Sequence, residues 1–441
     1  MVALRRPPIP RPPIPRLPVG PDPLRRVHVP RDLASVTTVG AEVDPREAGM
    51  TRGAVERIWT AAQRVYRSGV HPALQLCLRR HGAVVLDRAI GHAAGNGPED
   101  GDDVPKVPVT TETPFVIYSA SKAMSAVVAH LLDERGEIHL ADRVAEYIPE
   151  FAAHGKDAVT ITHVLAHRAG VPNLPAEAFD LDLLGKPDEI LRILCETRPR
   201  TRPGKLLSYH AVSGGFIIAE IVRRVTGRTI RDVLARELLE PLGFRWGNFG
   251  VAPDDVDEVG LSYLTGAPVV PPLSTLLTRA LGVGVREVVE LSGDPRFLTA
   301  IVPAANVVTS GNELARFFDV LGHGGELDGF RVLETRTVRR ALAEQSWLEL
   351  DLTLGVPLRY SLGFMLGAQR ISLYGPDTEH AFGHLGFTNI IGWADPERAL
   401  AGGLVTSGKP VLYPELVDLW MLMRTIGREA PKAARSPLSL L

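Results

Sequence analysis

The sequence has few of the residues that mark several large classes of protein. It contains two cysteines, Cys77 and Cys195, among 441 residues, so neither a disulfide framework nor a cysteine-rich metal site is expected. No uninterrupted apolar run reaches the roughly 18 residues that a membrane-spanning helix requires. The formal net charge is −2, which gives no overall field for nucleic acid or for an acidic membrane. These features predict a globular protein without a membrane span and without a nucleic-acid partner.

Motifs of several common enzyme classes are also missing. Without a G-x-S-x-G sequence the α/β-hydrolase nucleophile turn is excluded, and without a Walker A sequence nucleotide binding has no support. His163 and His167 stand four residues apart, but a zincin glutamate and a third ligand are lacking, so we expect structural roles for both. The sequence therefore implies no metal and no cofactor. No apolar segment follows the arginine pairs near the N-terminus, so no secretory signal is recognised and a cytoplasmic protein is expected.

Residues 1–45 form an arm rich in proline and arginine. Two copies of Arg-Pro-Pro-Ile-Pro begin at Arg6 and Arg11, and prolines continue to Pro30. Such a segment favours the extended polyproline II conformation and does not build a core. We expect a linker or an arm laid along the body of the protein. A docking arm is the alternative, and its partner is unknown.

Helical and strand patterns begin at about residue 46. Apolar residues at helical spacing predict a helix over residues 51–68, and two apolar runs around His81-Gly82 predict a β-hairpin. The same criteria predict further helices over residues 121–132, 143–148, 188–197, 212–226, 312–322 and 415–425, and strands over residues 359–366, 381–393 and 399–406. Residues 246–300 are rich in proline and glycine and are interpreted as irregular, with an apolar stretch that could shape a pocket.

The predicted strands lie near both ends of the chain, with helices between them. We therefore expect an α+β fold in which one antiparallel sheet is built from both chain ends and flanked by helices. The expected domain spans residues 46–430, with an α/β part over about 46–118 and 300–430 and a mostly helical insertion over about 119–299. Residues 431–441 are interpreted as a C-terminal tail.

The candidate nucleophile is Ser119, which precedes the predicted helix at residue 121. Lys122 follows three residues later, and this spacing on a helix brings two side chains to about 5–6 Å. Only 7 of the 49 basic residues are lysines. A lysine three residues after a serine is therefore stronger evidence for a catalytic pair than so short a motif would otherwise be. The positive end of the helix dipole favours a developing oxyanion at this position. The alternative is a capping serine followed by a solvated lysine.

Two later segments supply groups that complete a serine acyl-transfer site. Tyr209 lies between a Pro-Gly turn and a helix start, where an ammonium group can stabilise the phenolate so that it acts as a base. In His384-Leu-Gly386-Phe387, the glycine permits close approach of a substrate carbonyl, and the N–H groups of Phe387 and Ser119 are the candidate oxyanion donors. His384 is a candidate hydrogen-bond donor or charge-tuning group. Taken singly, each segment also fits a purely structural role.

In this order and at these spacings, the motifs resemble those of the serine β-lactamase-like hydrolases. The sequence is most similar to family VIII carboxylesterases and other class C β-lactamase-related proteins, over roughly residues 50–427. Residues 136–144, 160–170, 304–321 and 392–397 also resemble the family. The resemblance implies a β-lactamase/transpeptidase-like fold and an acyl-enzyme on Ser119. Lys122 and Tyr209 are then the proton-transfer pair, and which of them is the base is left open.

The sequence also departs from the family pattern. Members that recognise penicillin typically carry asparagine two residues after the tyrosine and Lys-Thr-Gly on the late strand, where this chain has Ala211 and His384-Leu385-Gly386. These losses remove polar partners for a substrate amide and carboxylate, so an uncharged small-molecule ester with an apolar acyl group of unspecified length is the expected substrate. The alternatives are a β-lactamase or D,D-peptidase, an acyltransferase, and a non-catalytic scaffold or binding module.

Overall fold

The computed structural model describes residues 22–101, 103–175, 180–271, 273–412, 415–433 and 438. The expectations for residues 1–21 and for most of the C-terminal tail lie outside the described residues. The strands are β1 (Thr37–Val39), β2 (Ala73–Arg80), β3 (Ala83–Ala94), β4 (Val107–Pro108), β5 (Phe115–Val116), β6 (Asn248–Phe249), β7 (Val307–Thr309), β8 (Glu326–Leu327), β9 (Phe330–Arg331), β10 (Ser346–Leu350), β11 (Pro357–Tyr360), β12 (Met365–Leu366), β13 (Phe382–Leu385), β14 (Ile391–Asp395) and β15 (Leu400–Thr406). The helices are α1 (Arg52–Arg67), α2 (Ser121–Glu134), α3 (Val144–Tyr147), α4 (Ile161–Leu165), α5 (Pro187–Glu196), α6 (Ser213–Thr226), α7 (Ile230–Leu234), α8 (Leu273–Leu281), α9 (Val285–Leu291), α10 (Pro295–Thr299), α11 (Gly311–Gly322), α12 (Thr335–Ala341) and α13 (Leu416–Glu429).

The main sheet joins the two ends of the chain. Its strand order is β1-β3-β2-β15-β14-β13-β12-β11-β10, with β4 added beside β3. Neighbouring strands are antiparallel, and the central pair is β2 with β15, in register from Arg80 opposite Leu400 to Leu74 opposite Thr406. This arrangement confirms the expected α+β fold and the antiparallel sheet built from both chain ends.

The two faces of the sheet carry side chains of different size. Leu74, Leu76 and Leu78 of β2 point to a core shared with α1 and α13. On the opposite face α11 lies very close to β15, since a Cβ added to Gly403 would stand 2.2 Å from the carbonyl oxygen of Gly311. Leucine side chains therefore fill the interface of the sheet with α1 and α13. On the other face, the lack of a side chain at Gly403 allows α11 to approach β15 closely.

The described part of the N-terminal arm lies along the body of the protein. The Val27 N–H donates to the carbonyl oxygen of Gly69 at 2.7 Å, and the Asn96 amide donates to the carbonyl of His28 at 3.1 Å. β1 pairs with β3 as the edge of the main sheet. The arm thus contributes a strand before the domain boundary that the sequence places at residue 45.

Several parts of the fold differ from the sequence-based prediction. The strand predicted over residues 359–366 is an antiparallel pair, β11 and β12, with Tyr360 opposite Met365. Residues 246–300, interpreted as irregular, contain β6 and the helices α8, α9 and α10, which are 9, 7 and 5 residues long. Proline and glycine between such short helices obscure their periodicity. The single strand predicted over residues 381–393 is a hairpin of β13 and β14, whose turn contains Thr388 and Asn389 with φ of 45° and 52°.

Helix α2 passes through the interior of the protein. From Pro114 to Asp133 every residue is buried except Ser119, which is half-buried. In the part of the chain that the structure describes, no helix is long and apolar enough to cross a membrane. The buried helix therefore serves to hold its first turn, and Ser119 just before it, in a fixed position.

Candidate active site

A strained turn presents Ser119 at the start of α2. Tyr118 has φ of 49°, in the left-handed region that a bulky side chain rarely adopts. Its hydroxyl donates to Ser292 Oγ at 2.8 Å, and its carbonyl accepts a hydrogen bond from Ser121 Oγ. Ser121 Oγ in turn accepts from the N–H of Val307 at 3.0 Å. These contacts stabilise the turn, and the unusual backbone conformation is a feature that clusters at functional sites.

Lys122 lies one helical turn from Ser119 and contacts it directly. Lys122 Nζ is 3.1 Å from Ser119 Oγ, 2.7 Å from the carbonyl oxygen of Ala211 and 3.1 Å from that of Ala304. Both carbonyls come from segments far away in sequence. The expected pairing of Ser119 and Lys122 is therefore present as a contact between their reactive atoms.

Burial makes Lys122 an unusual lysine. It lowers the pKa of the ammonium group from 10.5 to about 7, since the low-polarity interior disfavours the charged form. A neutral amine has two N–H donors and one lone pair. With the Ala211 and Ala304 carbonyls accepting two N–H groups, the third position on the nitrogen faces Ser119 Oγ, as an N–H donor in the charged form and as a lone pair in the neutral form. In its neutral form such an amine can accept a proton from a neighbouring hydroxyl.

Tyr209 lies on the other side of Ser119. Its ring is 4.8 Å from Lys122 Nζ, and its side chain hydrogen-bonds with that of Ser119. Burial raises the pKa of the phenol well above its usual value of 10, and the bond to Ser119 only partly opposes this. Tyr209 is therefore a protonated hydroxyl at neutral pH, suited to donate a proton rather than to accept one.

The backbone beside Tyr209 is held by a buried carboxylate. Asp351 Oδ1 accepts hydrogen bonds from the N–H groups of Tyr209 at 3.1 Å, Thr353 at 2.8 Å and Leu354 at 3.0 Å. His167 adds a second support, since its Nδ1 accepts from the N–H of His210 at 3.2 Å and its ring lies 4.7 Å from that of Tyr209. One carboxylate thus positions both Tyr209 and the loop that carries Leu354.

His384 on β13 lies near Tyr209, with the two ring centroids 6.5 Å apart. Its Nδ1 is 2.8 Å from the carbonyl oxygen of Leu385, so Nδ1 carries the proton and Nε2 is an acceptor. Burial, with the nearby charge of Lys122, lowers the pKa of His384 to about 3. The ring is neutral at physiological pH. This environment favours neither the donor role nor the charge-tuning role expected from the sequence.

Gly386 and Phe387 follow His384 at the end of β13. A Cβ at Gly386 would lie 2.4 Å from the carbonyl oxygen of Ile117, so glycine is required for β13 to approach the turn before Ser119. The Gly386 N–H donates to Ile390 at 2.7 Å and is therefore occupied. The next N–H, of Phe387, remains the oxyanion donor suggested by the sequence. The Phe387 ring packs 5.5 Å from that of Tyr118.

A cavity lined mostly by apolar side chains opens beside Ser119. Ser119, Tyr209, Ala211 and Phe387 are all part of its lining. Asp180 is the one charged side chain among the described lining residues. Most of the other lining residues are aliphatic or aromatic: Leu174, Leu181, Leu184, Val212, Phe216, Leu281, Val283, Val288, Leu291, Phe297, Val302 and Leu354. Several come from residues 281–297, within the region interpreted as irregular. The cavity suits an apolar group attached to a carbonyl at Ser119.

The two histidines that suggested a metal make structural contacts. His163 Nδ1 accepts from the N–H of Thr160 at 3.2 Å, and the Thr160 hydroxyl accepts from the N–H of His163, which caps α4. Cys77 and Cys195 are buried free thiols. In the described ranges, no group of three or more His, Cys, Asp or Glu side chains is arranged to hold a metal ion.

Sequence reasoning missed several groups that shape the site. The carbonyls of Ala211 and Ala304 and the carboxylate of Asp351 act through contacts between distant segments, which leave no local pattern. Lys409, unlike these groups, does have a signal in the sequence, because it is one of only seven lysines and follows an apolar strand. It is fully buried, with its Nζ 5.1 Å from the centre of the Tyr118 ring. The rarity of lysine is the signal that could have identified it.

Fold and site together define a serine hydrolase with a β-lactamase/transpeptidase-like fold. Residues 54–419 match the family described as Beta-lactamase, and the chain belongs to that family. It is 31% identical over 353 residues to the esterase/β-lactamase LipL of Mycobacterium tuberculosis (strain ATCC 25618 / H37Rv), an alignment that covers 76% of this chain and 79% of LipL.

Solved structures support the same assignment. The crystal structure of a family VIII carboxylesterase is similar with a TM-score of 0.73 and 27% identity, covering 87% of this chain and 98% of the other. A penicillin-binding protein homologue from Caulobacter crescentus has a TM-score of 0.73 and 25% identity, covering 89% of this chain and 99% of the homologue. The resemblance identified from the sequence motifs is thereby confirmed.

Proposed function

We propose that this protein hydrolyses carboxylic esters with an apolar acyl group through an acyl-enzyme on Ser119. The observation that carries the proposal is the 3.1 Å contact between Ser119 Oγ and Lys122 Nζ at the end of an apolar cavity. The lowered pKa of Lys122, about 7, makes its neutral form available near neutral pH. A nucleophile beside a base of matched pKa is the arrangement that covalent catalysis requires.

The first half-reaction forms the acyl-enzyme. Ser119 Oγ attacks the ester carbonyl carbon while its proton passes to Lys122 Nζ. The N–H groups of Ser119 and Phe387 stabilise the oxyanion, each contributing about 2.7–4 kcal/mol. When the carbon–oxygen bond to the alcohol breaks, the Tyr209 hydroxyl gives a proton to the departing oxygen and regains one from Lys122. Alcohol leaves, and the acyl group remains bonded to Ser119 Oγ.

The second half-reaction releases the acid. A water molecule attacks the acyl carbonyl and gives up a proton to the Lys122 and Tyr209 pair. The tetrahedral intermediate is stabilised by the same two N–H groups and collapses by breaking the bond to Ser119 Oγ. The serine regains its proton, and the carboxylic acid departs. In this scheme Lys122 is the base and Tyr209 the proton donor, as their opposite pKa shifts favour.

The lining favours an ester over a β-lactam. His384 is neutral and offers no positive charge to a substrate carboxylate. At position 211 an alanine methyl group stands in the cavity lining, where the side-chain amide of an asparagine would bind a substrate amide. The name of one similar protein, a family VIII carboxylesterase, agrees with ester hydrolysis, whereas LipL is named for both activities.

Labelling with a fluorophosphonate probe tests the nucleophile. We expect one adduct on the wild-type protein, located to Ser119 by peptide mapping, and none on Ser119→Ala. Ser125→Ala is the matched control, because this buried serine of the same helix donates to Pro303 and does not line the cavity at Ser119. Ester turnover that survives in Ser119→Ala would contradict the proposal.

A further inference from the structure

A second cavity lies directly beyond the one at Ser119. The two share Phe216 and Leu184 in their walls, and both of these side chains are half-buried. The second cavity is lined mainly by Pro187, Ile190, Leu191, Leu194, Ile230 and Ile301. The two cavities therefore adjoin at Phe216 and Leu184, and the second extends into the region between α5, α6 and α10.

Helix α6 runs along both cavities. Val212, just before the helix, and Phe216 line the first cavity, whereas Ala219 and Arg223 line the second. Spacings of three and four residues place these positions on one face of the helix. The rise of 1.5 Å per residue puts Arg223 about 16 Å along the axis from Val212. Ala211, whose carbonyl binds Lys122, fixes the near end of this face at the site.

The charged residues of the second cavity already have partners within the protein. Glu220 accepts hydrogen bonds from Arg223 at 2.8 Å and from Arg224. Arg231 donates to the carbonyl oxygens of Thr299 at 2.9 Å and Ala300 at 2.7 Å. These contacts leave the apolar side chains as the groups that a ligand would meet. The occupant best matched to such a surface is a hydrocarbon chain.

We infer that the second cavity receives the distal part of a long unbranched acyl chain whose carbonyl lies at Ser119. The inference rests on the proposed function and specifies its substrate class as long-chain carboxylic esters. The Phe216 ring lies at the junction, so its position determines whether the two cavities are continuous. Leu184 is the other side chain that lines both cavities.

The expected effect is large enough to measure. Each methylene that is transferred from water into an apolar site contributes about a fourfold gain in affinity. Chains that reach past Phe216 should therefore show an increase in kcat/KM over short chains. A cavity that ended at Phe216 would give no further gain beyond the length that fills it.

The test compares p-nitrophenyl butanoate with p-nitrophenyl dodecanoate, both below their aggregation concentrations. Ala219→Trp fills the second cavity from α6, and Thr299→Phe fills it from the end of α10; neither residue lines the first cavity. We expect the wild-type ratio of dodecanoate to butanoate kcat/KM to exceed one and to fall at least tenfold in both variants. Thermal unfolding of each variant establishes that it is folded, and Thr299→Phe decides the matter if Ala219→Trp does not fold.

The outcomes separate this inference from the proposed function. A wild-type ratio below one, or a ratio unchanged in folded variants that hydrolyse butanoate, overturns the inference and leaves the esterase proposal intact. If the wild-type protein hydrolyses neither ester and takes no fluorophosphonate label at Ser119, both are overturned.

Discussion

The reactivity of the site depends on one lysine with two carbonyl partners. Burial of Lys122 favours its neutral form, which the proposed mechanism needs for accepting the serine proton, and the carbonyls of Ala211 and Ala304 hold its nitrogen in place. The same burial raises the pKa of Tyr209. One physical cause, desolvation, thereby shifts the two pKa values in opposite directions and separates the roles of acceptor and donor.

The pH dependence of turnover should follow Lys122. Its folded pKa is about 7, so the amine is protonated and unable to accept the serine proton below that pH. We expect kcat/KM for a short ester to rise about tenfold for each pH unit below the pKa of Lys122 and to level off above that pKa. His384, with a pKa lowered to about 3, stays neutral throughout this range. Rates measured from pH 5 to 9 check this, and a flat profile would show that Lys122 is not the base.

Replacing Tyr209 by phenylalanine should slow catalysis while preserving the fold. The variant loses the hydroxyl that hydrogen-bonds with Ser119, and we expect kcat to fall at least about a hundredfold. Tyr360→Phe is a suitable control, because this buried tyrosine packs 5.0 Å from the same His167 ring. Steady-state kinetics on both variants distinguish the two positions. Equal losses in the two would indicate that packing, rather than proton transfer, explains the effect.

At the scale of elements, distant segments meet around Asp351. Its buried carboxylate binds the N–H of Tyr209, which precedes α6, and those of Thr353 and Leu354, which follow β10. Leu354 lines the cavity at Ser119. A single side chain therefore couples the position of the candidate proton donor to the shape of the acyl site.

Asp351→Ala should lower both stability and kcat. Three buried N–H groups lose their acceptor, and each unsatisfied group costs about 1–3 kcal/mol. Asp351→Asn retains an oxygen in the same position, so we expect it to recover most of the loss. Urea denaturation and steady-state kinetics on both variants provide the measurement. Normal kcat in Asp351→Ala would exclude a positioning role for this residue.

Short-range features of the site could be predicted from the sequence, and long-range ones could not. Helical spacing alone brings Lys122 to Ser119, and a glycine-marked strand places Phe387 near the same turn. The Ala304 carbonyl and Asp351 have no local signature, because their contacts depend on how separate segments pack. For the same reason the cavity wall formed by Leu291 and Phe297 lay within a region interpreted as irregular.

The secondary structure could be predicted where an apolar pattern extends over many residues. The helix expected over residues 51–68 is α1, and the expected hairpin is β2 and β3. Helices of five to nine residues after residue 270 were missed, because each presents too few turns for a clear period. The turn at Thr388 and Asn389 was missed because neither residue is a glycine, although both have positive φ.

At the scale of the whole molecule, stability depends on the close layer of α11 against β15. Gly403→Ala would place a methyl group 2.2 Å from the Gly311 carbonyl, and overpacking of this kind costs about 1–3 kcal/mol. Gly284→Ala is the control, because nothing lies within 4 Å of the added Cβ. We expect a lower unfolding midpoint in denaturant for Gly403→Ala alone. Equal midpoints for the two variants would show that the layer can adjust.

The pairing of β2 with β15 has a consequence for the newly made chain. The partner strands lie more than 300 residues apart, so the β2–β3 hairpin emerges from the ribosome long before β15 does. At about 5–20 residues per second, that interval lasts roughly 15–60 seconds. Throughout it, one edge of β2 presents unpaired backbone groups that can join the strand of another chain. Chains that stall before β15 are therefore expected to aggregate, and chaperones that shield this edge should raise the yield of folded protein.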